Sequence, residues 1–440
     1  MIYITNGYLI EPKSGKEGYY DILIKGDKIA GIVKPGTPLS DLLAQKGMQE
    51  EGEQLEHEQL QQIDAAGKII APGLIDVHVH FRDPGFTHKE DIMTGAAAAA
   101  KGGFTSVVLM ANTKPAVDNE DTLAYVIEKG KKTGIHVYTC ANVTMGLQGK
   151  QLVDMEALSK AGAAGFTDDG IPLLDEKILR EALQRAAKLG KPVSLHEENP
   201  AYITNNGINA GKAAEYYGIG GSPREAEISM VERDIRIALQ EEADLSIQHI
   251  STREAVELVR RAKKQSRHIF AEAAPHHFTL TEEAVIKHGT LAKMNPPLRE
   301  EADRMAIIEG LRDGTIDMIA TDHAPHSAEE KAKPITEAPS GIIGLETALS
   351  LGIRELVRPG YLTMRQLVEK MSLAPATLYH LDAGYLAENG PADLVILDEK
   401  AQWTAGNYAS KASNSPFTGE TMPGVVAYTV CSGKIVYQAK

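Results

Sequence analysis

Two histidines one residue apart, His78 and His80, lie just beyond an apolar run at Ile69–Asp76. Alternate residues of a strand share a face, so both imidazoles point the same way. Two neutral imidazoles at this spacing suit Zn²⁺ or a similar divalent ion. His196 ends the run Ser194-Leu195-His196, and His249 lies in Gln248-His249-Ile250. Alone, each reads as a buried, hydrogen-bonded histidine; closing successive strands, they make a second imidazole pair. Asp322 follows the apolar run at Ile316–Ala320. An acid there is costly to bury unpaired, and a metal or a proton-transfer role explains it. The half-sites are then His78, His80 and Asp322 on one side, and His196 and His249 on the other. Two ions held roughly 3.5–4 Å apart need an anionic bridge. The segment Thr167-Asp168-Asp169-Gly170 offers one. Alternation lets only one of Asp168 and Asp169 face inward, and the sequence alone leaves open which.

These residues need a scaffold that brings strand ends together. From Lys68 to about Ala324, short apolar runs alternate with helical segments. The expected strands are Ile69–Asp76, Thr105–Asn112, His136–Asn142, Gly165–Asp169, Pro192–His196, Leu245–Ile250, Ile269–Pro275 and Ile316–Asp322. Helical stretches such as Glu90–Lys101, Ile178–Leu189 and Arg253–Lys264 lie between them. Eight β-α units in order predict an α/β fold, a (β/α)8 TIM-type barrel over 68–384 whose site sits at the C-terminal strand ends. No GxGxxG follows an early strand to favour an open doubly wound sheet.

Both chain ends read as strands punctuated by glycine and proline: Ile2–Thr5, Tyr8–Ile10, Ile22–Lys25 and Lys28–Ile32, then Asp393–Leu397, Val425–Cys431 and Lys434–Tyr437. They predict one small β-sandwich domain built from 1–67 together with 385–440. The Glu/Gln-rich stretch at 39–62 reads as a solvated helix or mobile insertion without a chemical role.

The 440 residues, 43% hydrophobic and 24% charged, suit a globular protein of barrel plus satellite. A net charge of −14 argues against a nucleic-acid or anionic-membrane surface, while leaving room for a local arginine to bind an anion. The two distant cysteines, Cys140 and Cys431, fit a reducing compartment. The N-terminus lacks the features of a signal peptide, and no apolar run approaches the roughly 18 residues of a membrane span. The expected location is the cytoplasm.

DVHVHFRDPG, ANTKP, FTDDG, HEEN, QHIS, MNPPLR, ATDHAPH and APSGIIGLET together resemble the class I dihydroorotases of the amidohydrolase superfamily. The C-terminal NSPFTGETMPGVVAYTVCSGKIVY is similar to the closing strands of that family. The resemblance spans nearly the whole chain except the Glu/Gln-rich stretch. It implies that His78, His80 and Asp322 hold the more buried zinc and that His196 and His249 hold a second. It makes Asp169 the bridge, in place of the carboxylated lysine of hydantoinases. It places Arg82, Asn112 and His326 on the substrate carboxylate, with His80 beside them, and Asn295 and the Ser340-Gly341 backbone on the pyrimidine ring. Ser340 departs from the phenylalanine common in the family, which removes an apolar wall. Arg82 lies two residues past His80, and a guanidinium binds a carboxylate bidentately.

The implied reaction is the reversible hydrolysis of (S)-dihydroorotate to N-carbamoyl-L-aspartate in pyrimidine biosynthesis. A metal-bridging hydroxide would attack the ring amide, with Asp322 taking its proton and returning it to the leaving nitrogen. Imidazole and carboxylate sites also accept Co²⁺ or Mn²⁺. Rival readings are a hydantoinase- or allantoinase-type hydrolase, or a non-catalytic assembly partner. The first usually carries the bridging lysine, and the second should show gaps among the six ligand positions, where none occurs. The resemblance admits a homodimer and assembly with aspartate transcarbamoylase, but no surface in the sequence identifies either.

Overall fold

The computed structural model describes residues 1–46 and 60–439, and the chain is α/β with mixed sheets. Fifteen strands are used below: β1 (Ile2–Glu11), β2 (Lys16–Lys25), β3 (Lys28–Val33), β4 (Gln61–Asp64), β5 (Ile69–Pro72), β6 (Leu74–Val79), β7 (Phe104–Leu109), β8 (His136–Thr139), β9 (Val193–Leu195), β10 (Leu245–Ile247), β11 (Ile269–Ala273), β12 (Met318–Ile319), β13 (Leu394–Thr404), β14 (Thr421–Cys431) and β15 (Lys434–Gln438).

The two chain ends share one eight-stranded sheet of order β15-β14-β13-β5-β1-β2-β3, with β4 beside β1. The two strands expected over Ile2–Thr5 and Tyr8–Ile10 are one, interrupted by a bulge between Ile4 and Gly7, where Asn6 takes a φ of 63°. Apolar side chains from both ends, among them Ile4, Ile22, Ile29, Ile70, Leu394 and Val430, pack into one buried cluster. Each fully buried side chain of this kind contributes about 1.5–3 kcal/mol relative to exposure.

Composition suggested a solvated 39–62 stretch, but the described parts of it are integrated. Leu39–Gln45 is a helix whose Leu42 and Leu43 pack with Tyr3 and Leu23, and β4 pairs in parallel with β1. Residues 47–59 of that stretch lie outside the described residues.

The expected first strand, Ile69–Asp76, splits at Gly73. A Cβ there would fall 2.1 Å from Thr105 Oγ1, so only glycine allows this approach. Before it, β5 pairs with β1 and β13, so the terminal sheet extends past residue 67 to Pro72. After it, β6 turns into a parallel sheet with β7 and β8. A second parallel sheet runs β9-β10-β11-β12. Single parallel bridges link the two: Ala141–Phe166–Val193 connects β8 towards β9, and Val79–His323 connects the segment after β12 to β6. Gly165–Asp169 is therefore paired through Phe166 alone rather than forming an extended strand. The expected strand Ile316–Asp322 is reduced to Met318–Ile319, because the amides of Thr321 and His323 donate to side chains, Asp76 and Thr321 respectively.

Helices cover these strands as their periodicity requires. Glu176–Leu189 buries Leu179, Ala182, Leu183 and Ala186, a spacing that makes one stripe, between an Asp175 N-cap and a left-handed Gly190. Arg253–Lys263 buries Ala255, Val256, Val259 and Ala262 behind a Thr252 cap. Ile92–Lys101 is alanine-rich on its buried face, and its Gly95 leaves room for the Phe81 ring next to the His-x-His segment. No helix among the described residues is long and apolar enough to cross a membrane.

Candidate metal centre and active site

The parallel strands deliver the six ligand candidates to one place. His78 is in β6 and His80 directly follows it; His196 follows β9, His249 follows β10 and Asp322 follows β12, while Asp169 follows the bridge at Phe166. His80 Nε2 lies 3.0 Å from Asp322 Oδ1 and 3.4 Å from Asp169 Oδ2. His78 Nε2 lies 3.4 Å from Asp169 Oδ1 and 3.5 Å from Asp322 Oδ1. His249 Nε2 and His196 Nδ1 are 3.0 Å apart and stand 3.7 and 3.8 Å from Asp169 Oδ1. Two overlapping groups have metal-binding spacing: His78, His80 and Asp322, and His78, Asp169 and His249.

The chemistry of these donors fits a cation. His78 Nε2 and Asp169 Oδ1 are buried without a hydrogen-bond partner. Leaving such groups unsatisfied costs about 1–3 kcal/mol each, a penalty that coordination removes. The surroundings also aim the imidazoles. Glu272, from β11, takes the other nitrogen of His78, with Nδ1 at 2.5 Å from Oε1. His80 Nδ1 donates to Asn112 Oδ1 at 3.0 Å, and His196 Nε2 donates to Glu198 Oε2 at 3.2 Å. Each bond leaves the opposite ring nitrogen facing the cluster, the way metal-ligating histidines are oriented. Burial opposes ionisation of Asp322, but positive charge among the neighbouring histidines, His78 first, outweighs it and holds the carboxyl below its ordinary value. Arg82, His249 and Asp322 have positive φ angles of 59°, 29° and 47°, so backbone strain gathers at this site.

The two aspartates of the TDDG motif face different ways. Asp168 Oδ1 accepts the amides of Val143 and Thr144 at 2.9 and 3.2 Å, and its other oxygen accepts the Thr144 hydroxyl. Asp169 points into the histidine cluster. Asp168→Ala is therefore expected to lower stability by about 2–4 kcal/mol, by stranding donors from Asn142, Val143 and Thr144, while leaving the metal-binding capacity of the folded protein intact. Asp169→Ala should do the reverse. Chemical denaturation beside metal content separates them, and metal loss in the Asp168 variant alone would exchange the two roles.

The cluster opens into a cavity of about 250 Å³ that also reaches Arg82, Asn112, Asn295, His326 and Ser340. Larger clefts of about 490 and 530 Å³ lie elsewhere and gather none of these residues. Arg82 is half-buried; its Nε donates to the Pro325 carbonyl at 3.2 Å. Lys89 donates to His326 Nδ1 at 3.3 Å, so His326 Nε2 carries the proton and donates to the Ser340 carbonyl at 2.8 Å. Burial, with Arg82, Lys89 and Lys331 nearby, keeps this imidazole neutral. Asn112 also donates to Asp169 Oδ2 at 3.3 Å, so it ties two ligand candidates together. Asn295 Oδ1 is buried without a partner. The Gly341 amide is committed to the Lys293 carbonyl, and its own carbonyl accepts from Lys331 and Asn414. Gly341 has a φ of 152°, and a Cβ would fall 2.6 Å from the Ala324 carbonyl oxygen, so only glycine fits.

Sequence reasoning singled out neither Glu272 nor Asp76. Asp76 accepts the His78 and Thr321 amides, both at 3.1 Å, and so ties the His-x-His segment to the segment of Asp322. An acid inside an apolar strand was the available signal at both positions.

A family model described as dihydro-orotase-like matches residues 67–255. A protein named dihydroorotase from Clostridioides difficile (strain 630) is 53% identical over 439 residues, covering 100% of both chains. The chain belongs to the dihydroorotase family. A dihydroorotase of Clostridium acetobutylicum is 48% identical over 442 residues, again covering 100% of each chain. Among solved structures, an L-hydantoinase from Arthrobacter aurescens superposes with a TM-score of 0.84 at 24% identity, covering 99% of this chain and 96% of its own. A dihydropyrimidinase from Brevibacillus agri gives 0.82 at 23%, covering 99% and 95%. At these identities the structural likeness speaks for the fold, and the dihydroorotase relatives speak for the family.

Proposed function

We infer that this chain is a dihydroorotase, a metal-dependent cyclic amide hydrolase that interconverts (S)-dihydroorotate and N-carbamoyl-L-aspartate. The observation that carries the reading is a half-buried arginine sharing one cavity with four histidines and two aspartates, in a chain 53% identical over its full length to a protein named dihydroorotase. His78, His80 and Asp322 would hold one zinc, and His196 and His249 a second, with Asp169 between them. When bound, the ions lower the pKa of a coordinated water and polarise a carbonyl.

The chain's own residues do the rest. Arg82 binds the substrate carboxylate, a planar two-point match, and the His326 ring beside it fixes the Ser340 carbonyl at the cavity wall. Asn295 Oδ1, buried and unpartnered, accepts a ring N–H. Asn112 keeps His80 protonated on Nδ1, which frees Nε2 for the ion. Asp322 takes the proton of the attacking water and delivers it to the ring nitrogen as the amide bond breaks. The Ser340-Gly341 segment shapes the ring pocket chiefly through Ser340, since the Gly341 backbone is engaged within the protein.

The fold supporting this site is a closed (β/α)8 barrel, a reading supported by the parallel bridges on both flanks of the two parallel sheets. The eight-stranded sheet around its own apolar core is then the small β-sandwich domain, formed from the first 72 residues and the C-terminal strands. Cytoplasmic residence is supported by the two free, buried cysteines, which suit a reducing compartment, and a homodimer and pairing with aspartate transcarbamoylase by the family resemblance.

The deciding measurement is hydrolysis of L-dihydroorotate beside metal content, before and after chelation. Stoichiometric metal and turnover that both disappear on chelation and return with Zn²⁺ are expected. A chelator-stripped protein that turns over dihydroorotate at full rate would sink the reading, as would a metal-loaded protein that hydrolyses hydantoin but not dihydroorotate.

A further inference from the structure

A second set of metal-ligand side chains lies away from the histidine cluster. His136 opens β8, at the end of the parallel strands opposite the one that carries His80 and Asp169. Asp393 directly precedes β13, and Cys431 is the last residue of β14. Their ligand atoms all lie within 4.8 Å of one another. His136 Nε2 is 3.0 Å from Asp393 Oδ2. The other Asp393 oxygen accepts the Ser432 amide at 2.7 Å, which fixes the carboxylate with Oδ2 towards the imidazole. The Cys431 thiol is buried beside the His136–Asp393 pair and also makes a long donation to the Thr105 carbonyl, 3.5 Å. Ser432 Oγ stands 3.4 Å from His136 Nε2. In front of the group is an open cleft of about 530 Å³ that both His136 and Cys431 line.

We propose that His136, Asp393 and Cys431 form a structural binding site for a divalent ion of the zinc type, with a fourth position facing the cleft. One nitrogen, one carboxylate oxygen and one thiolate are donors that Zn²⁺ accepts, and the thiolate disfavours Mg²⁺ and Ca²⁺. With both anionic ligands ionised the site has charge −2, which a divalent cation neutralises. Asp393 and Cys431 come from the terminal sheet and His136 from a parallel strand, so the ion pins the two together. Neither Asp393 nor Cys431 has a part in dihydroorotate chemistry. Uptake replaces the N–H of His136 Nε2 and the S–H of Cys431 with metal–N and metal–S bonds, adds a metal–O bond to Asp393, and releases the two protons to solvent through the cleft, so affinity rises with pH.

The protein has only two cysteines, and the other, Cys140, is buried beside the Tyr379 hydroxyl at 3.7 Å and belongs to no metal-ligand group among the described residues. The histidine cluster contains no thiol. A thiolate-to-metal charge-transfer band in the full-length protein loaded with Co²⁺ therefore reports Cys431 alone. The expected result is such a band in the near ultraviolet, together with one equivalent of metal more than in Cys431→Ser. That variant should lose the band and retain dihydroorotate turnover. His136→Gln should weaken Co²⁺ binding at this site at least 100-fold by titration of the same band. The wild-type spectrum decides even if a variant folds poorly. Absence of the band at saturating Co²⁺ overturns the proposal and leaves an ion pair beside a buried thiol.

Discussion

Asp322→Asn is expected to lower kcat for dihydroorotate hydrolysis by about 10²–10⁴-fold, the range that a positioned general acid–base contributes. Asparagine has nearly the same shape and can still face His80 Nε2, 3.0 Å away in the native protein, but it cannot accept a proton from the attacking water. The substitution also removes a negative charge next to His78 and His80, so some loss of metal at that half of the cluster accompanies it. His78, Asp169 and His249 form a metal-spaced group that does not include Asp322, so at least one ion should remain. Turnover measured beside metal content separates the two effects. A variant that keeps both its metal and its kcat would remove Asp322 from proton transfer. Because Asp322 takes a φ of 47°, where asparagine is better tolerated than most residues, the exchange itself adds little backbone strain.

The second large effect is expected at Arg82. Arg82→Ala should reduce kcat/KM for dihydroorotate by about 10²–10³-fold, chiefly through KM. Removing one partner of a charge-assisted hydrogen bond that substrate binding buries costs about 2–5 kcal/mol. Hydantoin has no carboxylate and should lose far less. Arg82→Lys should fall between, since an ammonium keeps the charge and gives up the two-point geometry. Equal losses on both substrates would mean that Arg82 acts by supporting the site, through its bond to the Pro325 carbonyl, rather than by holding the carboxylate.

Much of this site is legible in the sequence because strand alternation and strand ends are local rules. His-x-His shares a face wherever it lies on a strand, and each remaining ligand candidate closes an apolar run. The orientation of Asp168 and Asp169 is not legible in this way. It depends on the amides of Val143 and Thr144, distant in sequence, which capture Asp168 and leave Asp169 to the histidines. Glu272 was passed over for a similar reason. An acid within an apolar strand looks like an interruption until the His78 ring is found against it.

The sequence by itself determined the alternation of strands and helices, the pairing of the two chain ends in one β unit, and the residue types that can bind a cation and an anion. These follow from periodicity and side-chain chemistry, which neighbouring residues set. Tertiary structure alone decided which nitrogen of each histidine faces the cluster, where the chain leaves the terminal sheet at Gly73, and that Gly341 spends its backbone on Lys293, Lys331 and Asn414. It also set His136, Asp393 and Cys431 side by side. Each of these depends on contacts between residues far apart in the chain, and such contacts exist only after the sheets have packed.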